Sequence, residues 1–286
     1  MPKADEALKT PISTGETAAV AADIRRELET YIDPVKREYL PRFFKTGKGQ
    51  YGEGDKFLGV VVPNTRRVAK LYKEAPFGVM AELLQSEWHE CRLCALLMLV
   101  ERFKKSDGKG RKEIFDFYLS QTARINNWDL VDLSAPGIVG EYLKDKSREV
   151  LYRLAESPLL WDRRIAVVST YTLIKNGDFI DIIRLAEWFL AHSVQTNAHS
   201  FAHAVSTNAH SFAHNAHVLH INVHTPQPLH DLMQKAIGWM LREMGKRDKD
   251  LLVQFLEKHG KTMPRTMLRY AIEKFPEEER KEFMKR

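Results

Sequence analysis

The chain has 286 residues, 44% hydrophobic and 29% charged, with a net charge of +6, the composition of a globular protein large enough to bury its own core. No run approaches the roughly 18 consecutive apolar residues that a membrane span requires, so a membrane protein is excluded. The start, Met1-Pro2-Lys3-Ala4-Asp5-Glu6, is followed by no apolar stretch, does not read as a signal peptide, and makes the cytoplasm the expected compartment.

Residues 1–19 mix Pro, Thr, Ser, Gly and charge without periodicity and are expected to form a loose arm ahead of a single domain over 20–286. From Val20 onward apolar residues recur at spacings of three and four, over 21–32, 64–73, 77–85, 87–105, 111–125, 147–156 and 159–175. Strand alternation is almost absent, and breaks fall at turn chemistry such as Asn176-Gly177-Asp178. The expected class is all-α. An alanine sits between basic or polar residues and aliphatics at Ala95, Ala166, Ala236 and Ala271, at intervals of 71, 70 and 35. Multiples of about 35 suit stacked helical pairs, a HEAT-like α-α solenoid with a long concave face. A non-repetitive helical domain is the alternative.

Cys91 and Cys94 form a C-x-x-C within the apolar 87–105 stretch. With neither a βαβ context nor a second ligand pair, they read as core thiols rather than a redox or zinc motif. The segment 51–63, Tyr51-Gly52-Glu53-Gly54-Asp55-Lys56-Phe57-Leu58-Gly59-Val60-Val61-Val62-Pro63, resembles a phosphate-binding loop only superficially, since it lacks a preceding strand and the Lys-Ser/Thr ending.

Residues 193–230 break the helical pattern. Thr196-Asn197-Ala198-His199-Ser200-Phe201-Ala202-His203 recurs unchanged as 207–214, and nine of the eleven histidines lie in 192–230. His199/His203 and His210/His214 would each share a helical face, a geometry that could bind metal weakly. The segment carries no Lys, Arg, Asp or Glu and reads as an inserted low-complexity loop, with no specific metal site or cofactor expected.

Chemistry concentrates at Asn126-Asn127-Trp128-Asp129-Leu130-Val131-Asp132-Leu133-Ser134-Ala135-Pro136-Gly137. Asn127 can cap a helix on which Trp128 and Asp132, four apart, share a face, and Pro136 would bend any continuation. Trp128 as a core ring and Asp132 as a solvated charge is the plainer alternative. Arg163 and Arg164 open an apolar helix after Trp161, and their guanidinium forks suit phosphate oxygens. Gly238 beside Trp239 would allow close approach of a backbone or ligand.

Taken in order, Tyr51 ahead of F-L-G-V-x-V-P, W-D-x-V-D at 128–132 with Ala135-Pro136, W-x-x-R at 161–164 and Q-K-A-I-G-W-x-L-R-E at 234–243 resemble the bacterial AlkD-type alkylpurine DNA glycosylases. The likeness spans most of 20–275 apart from the histidine-rich segment. It implies a HEAT-like solenoid that grips bent duplex DNA without flipping the base into a pocket. It also implies Asp132 as catalytic carboxylate, Trp128 and Trp239 as aromatic walls, and Tyr51 as an accessory wall. Arg164 would hold the DNA backbone, with Arg163 and Arg242 as further DNA contacts. The implied reaction is hydrolytic release of cationic N3- or N7-alkylated purines by a monomer acting on alkylated duplex DNA, with no cofactor. The rival is a non-catalytic helical scaffold binding DNA or protein through the same face. The insertion departs from the family pattern; removing about 36 residues would restore the spacing between the arginine helix and the Trp239 helix.

Overall fold

The structure, a computed structural model, describes residues 13–193 and 228–285. The histidine-rich repeat, with His199, His203, His210 and His214, lies outside the described residues, as do residues 1–12. The chain divides into two compact units, Met1–Asp178 and Phe179–Arg286.

The first unit contains α1 (Thr14–Glu29), α2 (Pro34–Phe43), α3 (Val62–Leu71), α4 (Phe77–Gln85), α5 (His89–Lys105) and α6 (Gly108–Ser120), followed by α7 (Trp128–Asp132), a π-helical turn at Pro136–Gly140, α8 (Glu141–Leu143), α9 (Glu149–Ala155) and α10 (Leu160–Lys175). The second contains α11 (Ile180–His192), α12 (Asp231–Gly245), α13 (Lys249–His259), α14 (Arg265–Ala271) and α15 (Glu277–Lys285). Helices and turns account for the described residues, apart from one isolated bridge between Lys56 and Trp88. None of these helices is long and apolar enough to cross a membrane. The all-α helical-repeat class expected from periodicity is the observed one.

Residues 14–19, expected in a loose arm, are helical, because α1 begins at Thr14. Ser13 and Glu16 form a reciprocal capping box, with the Ser13 N–H donating to Glu16 at 2.7 Å and the Glu16 N–H donating to Ser13 Oγ at 3.3 Å. Two otherwise unsatisfied N–H groups are thereby paired, so the helix starts in a stretch without apolar periodicity. Helix α2 was not apparent from periodicity either. Asp33 caps it, accepting from the N–H groups of Val35 and Lys36, and none of its residues is buried.

Helix α5 is the hub of the first unit, buried without interruption from His89 to Val100, with α3 and α4 packed against it. Cys91 and Cys94 lie inside it as free thiols, and burial pushes the Cys91 thiol up to about 11 and Cys94 upward as well. Helix α10 buries Ile165–Thr170 against α7, α9 and the π-helical turn. In the second unit α12 packs on α13 and α14. The four alanines at intervals near 35 and its multiples, Ala95, Ala166, Ala236 and Ala271, are all buried at these helix contacts.

Candidate active site

Helix α7 is only five residues long, so its position is fixed from outside. At its start the Asn127 side chain accepts from the Trp128 N–H at 2.8 Å and donates to Asp55 at 3.1 Å, tying the helix to the 51–55 turn. At its end Asp132 meets Arg164 of α10 in a bidentate pair, Nε to Oδ1 at 2.9 Å and Nη2 to Oδ2 at 2.8 Å. The α-helical spacing of four puts Trp128 and Asp132 on one face, as the sequence predicts, and both line a cavity of about 450 Å³.

The cavity wall is aromatic. Phe44 stacks on Trp128, with centroids 5.1 Å apart and planes within 15°, and Phe43 meets the same indole edge-on at 5.9 Å. Phe57 stacks on His89 at 4.6 Å. Segment 57–63 supplies the opposite side through Val60, Val61 and Pro63.

Behind this wall lies a buried charge network that motif reading did not pick out. His89 stands between two carboxylates, Nε2 2.8 Å from Asp129 and Nδ1 3.3 Å from Asp55, while Arg92 donates to Asp55 at 2.7 Å. Burial alone would lower the His89 pKa, but the two carboxylates outweigh it and raise it to about 9, so the ring is an imidazolium that donates from both nitrogens at neutral pH. Burial likewise opposes ionisation of Asp55, and His89, Arg92 and Asn127 together hold its carboxyl below the ordinary value. Asp132 has the opposite balance: burial pushes its pKa up, Arg164 opposes that rise, and Asp129 adds to it. The signal for this network was present as an Asp one residue after Trp128 and a His opening an apolar helix, but only the fold brings residues 55, 89 and 129 together.

The glycine-containing 51–63 segment has no room for a phosphate. The N–H groups of Leu58, Gly59 and Val60 donate to the Glu90 carboxylate at 2.9, 2.8 and 3.1 Å, so the chain fills that anion cradle with its own side chain. Among the described residues no cluster of three or more His, Cys, Asp or Glu could hold a metal ion.

Other predicted residues fall as follows. Tyr51 packs edge-on against Trp161, centroids 6.2 Å apart, beside the start of α10. Arg163 donates to the Pro158 carbonyl at 3.1 Å. Trp239 and Arg242 stand on α12 in the second unit, where Arg242 pairs with Glu273 and approaches Glu243 at 3.5 Å. Gly238 permits close approach of a backbone, as expected: a Cβ there would lie 2.5 Å from the Met267 carbonyl on α14.

In the described part of the chain a carboxylate and an indole thus share an aromatic cavity, a combination suited to opposing positive charge on a sugar or base. Comparison with known structures gives a predicted DNA alkylation repair enzyme from Enterococcus faecalis, 12% identical, with a TM-score of 0.55, covering 86% of this chain and 97% of that one. That likeness speaks for the fold. Comparison with curated proteins gives no match. The model of the family described as DNA alkylation repair enzyme matches residues 24–205 and 198–275, two matches that overlap inside the histidine-rich segment, and the chain belongs to that family.

Proposed function

We propose that this protein is a DNA glycosylase that releases cationic N3- or N7-alkylated purines from duplex DNA as the first step of base excision repair. The observation that carries the reading is the Asp132 carboxylate, held by Arg164 in the wall of the Trp128 cavity. Alkylation already makes the base a good leaving group, so the protein needs only to stabilise the sugar as its bond to the base breaks. The glycosidic electron pair leaves with the base and neutralises it. Positive charge builds on the deoxyribose, opposed by ionised Asp132, and a water molecule bonds to the anomeric carbon and gives up a proton. The Trp128 face favours the cationic partners; Trp239 on α12 is assigned to the DNA, as an aromatic wall, by the resemblance.

Arg163, Arg242 and Tyr51 are assigned to the DNA, with Arg164 contributing to backbone contact as well as to Asp132. A phosphate that takes Arg164 must compete with the Asp132 carboxylate for the same guanidinium fork. The enzyme acts as a cytoplasmic monomer and needs no metal. The alternative, a non-catalytic scaffold, gives no reason for a buried carboxyl paired with an arginine beside an aromatic cavity. Incubation with duplex DNA containing 7-methylguanine should release the free base, and binding without release would favour the scaffold.

A further inference from the structure

We propose that His89 is a proton-operated positioning residue for Asp132: with both ring nitrogens protonated it clamps α7 to the 51–55 turn, and with one proton lost the clamp opens. The proposal deepens the glycosylase reading and rests on it for the reaction whose rate the clamp governs.

The need for a clamp follows from the shape of α7. Five residues, Trp128–Asp132, make little more than one helical turn, too short to hold an orientation through their own hydrogen bonds. Trp128 and Asp132 therefore stand where outside contacts put them. Arg164 holds the end of the helix through Asp132, and Asn127 ties its start to Asp55. The buried side is held through Asp129. One oxygen of Asp129 accepts from the Leu130 N–H at 2.8 Å and the other faces His89 Nε2 at 2.8 Å, while His89 Nδ1 reaches Asp55 at 3.3 Å. The imidazole thus spans the gap between the helix that carries Asp132 and the turn that anchors its start. At 2% exposure it is closed off from DNA and acts through α7.

Both contacts exist only in the imidazolium. A neutral imidazole has one N–H and one lone pair, so losing a proton leaves a lone pair facing either Asp129 or Asp55. Phe57 stacks on the ring at 4.6 Å, and Phe44, which also stacks on Trp128, lies 5.0 Å from it; aromatic faces favour the cation. The charged groups facing His89 are Asp129 from α7, Asp55 from the turn, and Arg92 from its own helix, itself paired with Asp55. The neighbouring Glu90 carboxylate is taken by the N–H groups of Leu58, Gly59 and Val60. Against burial and Arg92, the two aspartates hold the ring at a pKa of about 9, Asp129 contributing most. The clamp is closed at neutral pH and opens on the alkaline side.

Two measurements on the full chain test this. Single-turnover base release from duplex containing 7-methylguanine is followed against pH, corrected for uncatalysed release and for the folded fraction. NMR of the His89 ring and of the α7 amides follows the free protein over the same range. Wild-type release should fall about tenfold between about pH 8 and 10, the loss of protonated fraction in one group titrating near 9. His89→Gln should release base slowly at every pH, without that limb, while binding duplex as the wild type does. Asp129→Asn removes the largest influence keeping the proton on His89 and should bring the limb to lower pH. His89→Arg stays charged throughout and should abolish it; a decline belonging to the substrate appears in every variant and cancels in the ratio of rates. Should His89→Arg not fold, Asp129→Asn and the NMR titration decide. A limb equally present in His89→Arg, or unmoved in Asp129→Asn, overturns the inference and leaves the glycosylase standing. No base released at any pH overturns the glycosylase reading, and the clamp is then judged by the α7 amides: shifts that follow the His89 titration keep it, and shifts that ignore it overturn it.

Discussion

Asp132 and Arg164 form a pair in which each side chain does something the sequence assigned to only one of them. Arg164 opposes the burial that pushes the Asp132 pKa upward, and in the proposed mechanism it positions that carboxylate. Asp132→Asn is expected to reduce base release about 100-fold or more, the size of losing one charge-stabilising group in an active site, with duplex binding retained in a gel-shift assay. In the proposed mechanism base release requires ionised Asp132, so activity should rise with pH along an acid limb that lies above the ordinary carboxylate range. Arg164→Ala removes the opposing charge and should move that limb to still higher pH, and Arg164→Lys should restore part of the shift; an unmoved pH profile would show that Arg164 serves only the DNA. His89 follows a different pH course. Its pKa is raised to about 9 by Asp129 and Asp55 against the pull of burial, so its stabilising charge is fully present below the unfolded value near 6.5 and is lost as pH rises through about 9. Denaturant melts should therefore show wild-type stability falling between about pH 7 and 9. His89→Gln should cost about 3–5 kcal/mol at neutral pH, the penalty for breaking a buried ion pair, and flatten that pH dependence.

Two helices are located by glycines rather than by apolar stripes. Gly59, at φ +94, takes a backbone conformation that other residues resist, and it lies against the start of α2: a Cβ there would sit 2.6 Å from the Asp33 carbonyl and 2.7 Å from the Arg37 nitrogen. With the Asp33 N–H donating to the Gly59 carbonyl at 3.2 Å, this contact holds one end of a helix that buries nothing. In the second unit Gly238 does the same for α12 and α14, with a Cβ predicted 2.5 Å from the Met267 carbonyl and 2.6 Å from Tyr270 Cβ. Neither neighbour is a flexible side-chain end. Gly238→Ala must part the two helices and should destabilise by about 1–3 kcal/mol, the usual cost of overpacking, visible as a lowered melting temperature; an unchanged melt would mean that α14 yields freely.

The whole chain is interrupted by a segment that carries none of the charge. Every Lys, Arg, Asp and Glu lies outside 190–229, and that stretch repeats its own eight-residue block. Replacing 193–229 by a short Gly/Ser linker should leave the melting temperature and base release close to wild type, because loop length costs only about 0.6 kcal/mol per doubling. Zinc titration of both forms supplies the opposing outcome: a stoichiometric, histidine-dependent site whose removal lowers the melting temperature would make the segment a functional metal element. The net charge of +6 also predicts duplex binding that weakens linearly in log affinity with log salt as counterions are released.

Much of the architecture was readable from local pattern. Periodicities of three and four set helices α3 to α6, α9 and α10 because their apolar residues are buried against neighbours, and the spacing of four between Trp128 and Asp132 set their shared face because a helix rises 1.5 Å per residue with 3.6 per turn. Local pattern failed at the start of α1, which a capping box sets seven residues ahead of its buried stripe of Ala21, Ile24 and Leu28, and at α2, which is pinned by Asp33 and Gly59 while leaving its aromatic ridge exposed. The site divides in the same way. Trp128, Asp132 and Arg164 were legible as residue types in an ordered set of motifs, but the pairing of Arg164 with Asp132 across 32 positions, and of His89 with Asp55 and Asp129 across 34 and 40, depends on which helices pack together. Ionisation follows from those distances and from burial, both properties of the packed chain, so the residue order supplied the carboxylates and the tertiary structure decided that Asp55 is shifted down, Asp132 up, and that Asp132 faces the cavity.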